Sequence, residues 1–327
     1  MATRPEASVY HRSGWSQLVR EVFGHEACFI EARDRHGSLT GVLPLIRQKH
    51  FLLGNFATSI PFFNYGGALV DSEATAAGLM QYAVDVARNW GCSHVEFRDN
   101  RTRTGNWSVR TDKVSMILAL PSSFEVLSRQ LGAKLRSQVK RADREGASTR
   151  VGGLELLDAF YDVFCRNMRD LGTPVYPRGF FEALLRRFPE QTLIVCLNRG
   201  EQPAAAAFLV LDGTRAEVPW ASCRNEMKPL GFNMKLYSEL LSTVIARGCT
   251  VFDFGRSTVN SGTYRFKEQW GAKPVQLYWH RWERDPRVSL APEGSTGFMR
   301  RMPALWSRLP LPVTRFLGPF ISPSLPW

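Results

Sequence analysis

No stretch of this 327-residue chain is apolar for long enough to cross a bilayer. The longest uninterrupted apolar run, Pro203 to Leu211, has nine residues, against the ~20 that a membrane helix needs. The opening MATRPEASVYHRSGW has no basic segment followed by an apolar one, so a secretory leader is not expected. Six cysteines (Cys28, Cys92, Cys165, Cys196, Cys223, Cys249) lie far apart with no CxxC, mostly inside apolar segments such as Val195-Cys196-Leu197. They read as reduced core residues of a cytoplasmic protein. The six histidines are equally dispersed, and no metal site is expected. Nucleophile elbow, P-loop, dinucleotide fingerprint and low-complexity tract are all missing.

What is plentiful is positive charge. Forty-two lysines and arginines against thirty acids leave a formal +12. Residues 1–120 hold 13 basic and 11 acidic residues, residues 121–150 hold 7 and 3, and residues 298–327 hold 4 and none. Two local basic patches point to an anionic partner: a phosphate-bearing substrate, RNA, or a membrane surface. The plainer alternative is a solvated basic face on an ordinary enzyme.

Length alone suggests two domains of ~150 residues plus a tail, and the pattern agrees. In the first half the spacing predicts a helix over 12–23, strands over 28–34 and 39–46, and a third strand beginning at Phe51. An irregular aromatic stretch follows from Ser59 to Asp71. A helix is expected from Ser72 to Trp90, with Ser72 as N-cap and Gly91 as stop, then strands over 94–98 and 114–120. The second half repeats the order. Helices are expected over 122–131, 134–145, 154–171, 180–188 and 233–246, and strands over 193–197, 204–211, 216–221 and 251–254. The fold class is therefore α/β with mixed sheets, as two domains over 1–121 and 122–283 with a basic helical segment at 122–146. From 284 the chain becomes a tail with eight prolines and, after Glu293, no acid. Its mixture of arginine and bulky apolar residues is that of an interfacial segment, and its prolines exclude one long helix. The plainer alternative is a tail lying on the protein's own surface.

The chemistry concentrates between Phe252 and Trp279. A strand is expected to break at Gly255 into a loop carrying Arg256, Ser257, Tyr264, Arg265, Phe266 and Lys267, closing on an aromatic strand around Tyr278. Loops held between core strands are where mixed folds place binding residues. Asp253, between two phenylalanines, is either paired with an arginine or a tuned base. Arg256 and Lys267 suit an anion; Tyr264 either moves a proton or merely packs. Lys267 beside Phe266 and Trp270 is costly to bury unpaired, so its ammonium needs Asp253, Glu268 or a ligand's phosphate. The phosphate is favoured, and Lys267→Met is expected to keep or raise stability while abolishing transfer or donor binding. In the first half Tyr65, Gly66 and Gly67 are candidate substrate contacts, where backbone would approach a ligand. A strand pair, His94 and Glu96, is more often structural.

These residues resemble a known family. Phe266-Lys267-Glu-Gln-Trp270-Gly271 after the strand Val251–Gly255 is similar to an element of the Fem-type aminoacyltransferases, which are built from two GNAT-like domains. The likeness is closer to FemAB-like proteins associated with exosortase/PEP-CTERM and exopolysaccharide systems. It is carried by the segments from Ser59 to Gly67, Lys134 to Ala142, Asn167 to Tyr176 and Phe252 to Thr258. The resemblance implies tandem GNAT-like domains, a basic helical insertion and N-acyl transfer to an amine. It places the lysine of the Phe-Lys pair, here Lys267, near donor and acceptor phosphates. The usual acetyl-CoA signature is absent; Lys228-Pro-Leu-Gly231-Phe-Asn233 stands there instead. Gly231 and Asn233 at a helix N-terminus are the candidates for cradling a pyrophosphate. The expected donor is acyl-CoA, an acyl carrier or aminoacyl-tRNA, with no tightly bound cofactor. The expected acceptor is anionic and sugar-containing. The rival from another class is a catalytically silent RNA- or glycan-binding protein. The expected place is the cytoplasm, with peripheral contact at the inner membrane as the further expectation.

Overall fold

The computed structural model describes residues 7–50, 54–285 and 297–325. The chain divides into two units, one of residues 1–115, 275–293 and 323–327, the other of residues 116–274 and 294–322.

In the first unit the elements run α1 (Ser13–Phe23), β1 (Glu26–Arg33), β2 (Leu39–His50), β3 (Gly54–Thr58), β4 (Leu69–Val70), α2 (Glu73–Asn89), β5 (His94–Asp99) and β6 (Ser108–Arg110). The Ser72 hydroxyl accepts from the Thr75 N–H and starts α2. Gly24, at φ 67°, stops α1 as a left-handed cap. Leu79, Met80, Ala83, Val84 and Ala87 on one face of α2 bury against Leu43, Leu45, Ala57, Val95 and Phe97 of the sheet.

The second unit follows with β7 (Lys113–Ala119), α3 (Phe124–Gln130), α4 (Ala133–Arg144), β8 (Ala147–Gly152), α5 (Leu157–Asp170), α6 (Arg178–Arg187), β9 (Thr192–Arg199), β10 (Gln202–Asp212), β11 (Arg215–Cys223), α7 (Phe232–Ala246), β12 (Val251–Thr258), α8 (Gly262–Glu268) and β13 (Lys273–Gln276). Then come β14 (Tyr278–Glu283), α9 (Gly297–Trp306) and α10 (Leu311–Ile321). Phe160 and Phe164 of α5, Phe180 and Phe181 of α6, and Phe208 and Trp220 of the sheet form one aromatic core, its rings meeting largely edge to face. Ala204 to Ala207 are fully buried, short enough to let covering helices come close to β10.

Strand order is β1-β2-β3-β5-β14-β6 in one sheet, with β4 on β2, and β13-β7-β12-β11-β10-β9-β8 in the other. This corrects the expected boundary at 121/122. β7, read as the last strand of the first domain, belongs to the second sheet. β14, read as the last strand of the second domain, lies between β5 and β6 of the first. The sequence pattern marks both as strands but carries nothing on long-range pairing. β6 and β8 were not foreseen, since each is short and mostly polar. The expected loop after Gly255 is also corrected. β12 continues through Gly255 to Thr258, and seven residues of the supposed loop form α8, capped by the Ser261 hydroxyl on the Tyr264 N–H. Among the described residues no helix is long and apolar enough to cross a membrane.

Candidate functional site

In the second unit the sheet parts at one place. β11 and β12 run parallel but pair only over Arg215–Glu217 against Val251–Asp253. The cause is in the sequence of β11. Against β10, Glu217 faces Val210 and Trp220 faces Phe208, so β11 carries one extra residue at Val218–Pro219. Proline has no N–H for a ladder and enters a sheet interior at a bulge, which bends its strand. The bend falls at the last residue paired with β12.

On the other side Gly255 takes φ 75°, open to glycine without strain. In a regular strand successive carbonyls point opposite ways; here those of Gly255 and Arg256 converge. Both accept from the Lys267 ammonium of α8, at 2.9 Å each. The partner foreseen for Lys267 was an acid or a ligand's phosphate, and the structure supplies two main-chain oxygens. Burial pulls Lys267 down to about 8, against the attraction of Asp253 and Glu217 and with the repulsion of Arg256. Asp253, 2% exposed, accepts from the Gly255 N–H at 2.7 Å. Glu217 stands directly opposite it in register, so the two side chains share a face of the sheet. Sequence reading missed Glu217; Pro219 two residues later was the available signal.

Beyond the parting, Ser257 on β12 and Ser222 on β11 are buried, and among the described residues neither hydroxyl has a hydrogen-bond partner. Unpaired buried hydroxyls on both separated strands suit a polar ligand group entering between them. Phe266 packs edge-on against Tyr237, which stacks on Phe254, so its visible role is to seat α8. Tyr264 is half-buried in the first turn of α8. Arg256 is half-buried beside the site.

The cofactor candidates lie at the start of α7. Gly231 is its N-cap at φ 88°, and no side chain caps the helix. A Cβ on Gly231 would stand 2.3 Å from the Gln138 carbonyl of α4. The α4 backbone therefore occupies one side of the α7 cap, and Lys235 of α7 pairs with Asp143 of α4 at 2.8 Å. Asn233 is half-buried in the first turn. On α4, Leu135 and Ala142 face inward, while Lys134, Lys140, Arg141 and Arg144 are exposed. Arg136 is different: it donates to the Leu131 carbonyl at the end of α3.

Tyr65, Gly66 and Gly67 belong to the first unit, described by itself. They line a cavity of about 20 Å³ together with His11, Arg98, Asp99 and Arg103. A Cβ on Gly67 would fall 2.4 Å from Asp99 Oδ1, so this glycine admits a carboxylate of its own unit. Arg103 donates to that oxygen at 2.8 and 3.1 Å. Asp99 Oδ2 and His280 Nδ1, 3.6 Å apart, are buried without hydrogen bonds among the described residues. The Ser8 N–H donates to His11 Nδ1, which leaves Nε2–H to donate to the Gly67 carbonyl. Burial lowers His11 to about 4 and keeps it neutral. As expected of a structural pair, His94 stacks on Phe56 and Glu96 binds Arg98 at 2.9 Å.

Residues 129–268 match the acetyltransferase (GNAT) domain family. Among solved structures, the crystal structure of FemX aligns with a TM-score of 0.64 at 13% identity, over 85% of this chain and 93% of that one. L-PGS from Bacillus licheniformis aligns at 0.56 and 14% identity, over 91% and 98%. A tandem GNAT protein from the clavulanic acid biosynthesis pathway aligns at 0.52 and 10%, over 80% and 84%. At such identities the likeness is one of fold, and the fold is that of two GNAT-like domains in tandem. No curated protein sequence matches this chain.

Proposed function

We propose that the second unit transfers an acyl group from an activated donor to an amine, with the reacting carbonyl held between the separated strands β11 and β12. The observation that carries this is the parting of those strands beside Glu217, Asp253 and Lys267, inside the segment that matches an acetyltransferase domain. Attack of an amine on a thioester or ester forms a C–N bond, breaks the C–S or C–O bond and releases one proton. Positioning supplies most of the acceleration, and main-chain N–H groups freed from the β11–β12 ladder can face the developing oxyanion. Glu217 is the carboxylate on the strand that bends away, opposite Asp253 in register, and we assign the proton to it, directly or through water. Asp253 and Lys267 then fix the backbone around Gly255. Tyr264 and Arg256 flank the donor.

Domains of this family use acyl-CoA. Two features favour a donor carried on RNA instead: the α4 backbone against the α7 cap, and four exposed basic side chains along α4. Aminoacyl-tRNA is therefore the donor we propose, its backbone held by α4. From the resemblance of the sequence, the acceptor is an amine on an anionic, sugar-containing precursor of the cell envelope or of an exopolysaccharide system of the exosortase/PEP-CTERM kind.

Thermal shift and transfer assays decide between the donors, since a ligand of the folded state raises the melting temperature. We expect aminoacyl-tRNA to raise it and radiolabelled aminoacyl groups to reach an amino-sugar acceptor. A response to acyl-CoA alone would reassign the donor. RNA or glycan binding without transfer from either donor would make the protein a silent binding module.

A further inference from the structure

The two helices of the tail are mounted in an unusual way. α10 buries Thr314 and Gly318 against the second unit. The fit there is close: a Cβ on Gly318 would stand 2.8 Å from Val175, and one on Gly172 would stand 2.4 Å from the Pro303 carbonyl of α9. Arg315 lies over the Tyr161 ring, 5.3 Å from its centroid. The opposite face holds Val313, Phe316, Leu317 and Phe320, at the three- and four-residue spacing that makes one stripe on a helix. That stripe is exposed, with Phe316 and Phe320 each 68% accessible and their rings 5.6 Å apart. A surface helix ordinarily turns its apolar stripe inward. Here the small and polar side is inside and the bulky apolar side is out.

We propose that α10 and the segment before it form an interfacial anchor that seats on an anionic lipid bilayer. The charge of the tail selects this occupant. Arg301, Arg308 and Arg315 are exposed, Arg315 standing 4.0 Å from Asp162 of α5, and no acid follows Glu293 in the sequence. Headgroup phosphates complement such charge, while acyl chains accept Val313, Leu317 and the phenylalanines. A second copy of the same face would bring arginines against arginines. Single-stranded RNA would use the rings and the charge but leave the aliphatic positions unmatched. An eleven-residue helix is about 16 Å long, too short to span a bilayer but ample to lie in its surface. The proposal stands apart from acyl transfer and is tested without it.

The test is co-sedimentation of the full chain with vesicles of phosphatidylcholine containing about one-third phosphatidylglycerol, and with phosphatidylcholine alone. Binding to the anionic vesicles is expected, falling about fivefold for each of Arg301→Gln and Arg308→Gln. The double variant Phe316→Ser/Phe320→Ser should bind at least about tenfold more weakly. All four positions are exposed, so the variants should melt as the parent does, which a thermal scan checks. Failure of the full chain to sediment, or equal sedimentation of the double serine variant, overturns the proposal. So would a parent dimer that the double variant converts to a monomer, or vesicle binding abolished by stoichiometric tRNA.

Discussion

Replacing Lys267 by methionine separates two opposing contributions that can be sized from the structure. The buried ammonium binds two carbonyl oxygens, and methionine leaves both without that donor, at about 1–3 kcal/mol apiece. Against this, the charge itself is unfavourable where it sits. Burial lowers the group from 10.5 to about 8, which is worth about 3 kcal/mol against the charged form near neutrality. Near pH 7 the two nearly cancel, and the variant should be equal to the parent or somewhat less stable. The sign of the pH dependence then follows. The unfolded chain holds the proton up to about 10.5 and the folded chain only to about 8, so between these values the unfolded state binds more protons. Parent stability therefore gains from this group as pH rises through that window, while methionine has nothing to titrate. Urea denaturation of both proteins at about pH 7 and about pH 10 should show the parent gaining about 2 kcal/mol on the variant. All other titrating groups cancel in that difference. A gap independent of pH, or one that narrows, would refute the account of a buried ammonium on two carbonyls.

Three further outcomes are expected. Lys140→Glu, Arg141→Glu and Arg144→Glu together should weaken tRNA binding at least about tenfold and flatten its dependence on salt, as filter binding over a salt series would show. Arg136 should be left intact in that experiment, because it caps α3. Glu217→Gln should lower the rate of transfer by about a hundredfold or more while donor binding persists; an unchanged rate would remove Glu217 from the reaction. Gly231→Ala should cost at least about 2 kcal/mol in chemical denaturation, since it adds a left-handed alanine to a direct clash with the Gln138 carbonyl.

Much of the fold was legible because its signals are local. The α2 helix follows from apolar spacing and a serine cap, and β9, β10 and β11 follow from continuous apolar runs separated by turns. Both acid and lysine of the candidate site stood out as charges among aromatics. Other features are set by pairing, which no local pattern encodes. β14 reads as an aromatic strand wherever it inserts. The run Ser-Thr-Val-Asn-Ser-Gly after Gly255 looks like a loop, yet its serine at 261 opens a helix that carries Lys267 to the sheet. Glu217 passed as an ordinary strand residue because its importance comes from Asp253 beside it in register, thirty-six positions later in the chain. Pro219 was the one local mark of the strand separation, and only the register against β10 shows its bulge.

The place of β14 in the first sheet has a consequence for synthesis. β5 and β6 receive the strand between them only after residues 278–283 have been made, although both are complete by residue 110. At elongation speeds of about 5–20 residues per second that interval is on the order of 10–30 s. Throughout it the emerging first unit presents an open sheet edge, the kind of surface that recruits stray strands. The stretch 116–274, made in the meantime, already contains five of the seven strands of its own sheet in full, together with most of β7. The later-made unit is thus placed to close first, and the N-terminal one waits for the end of the chain. A fragment cut near residue 121 would keep that edge permanently open and should aggregate, whereas one ending after Glu283 retains the missing strand.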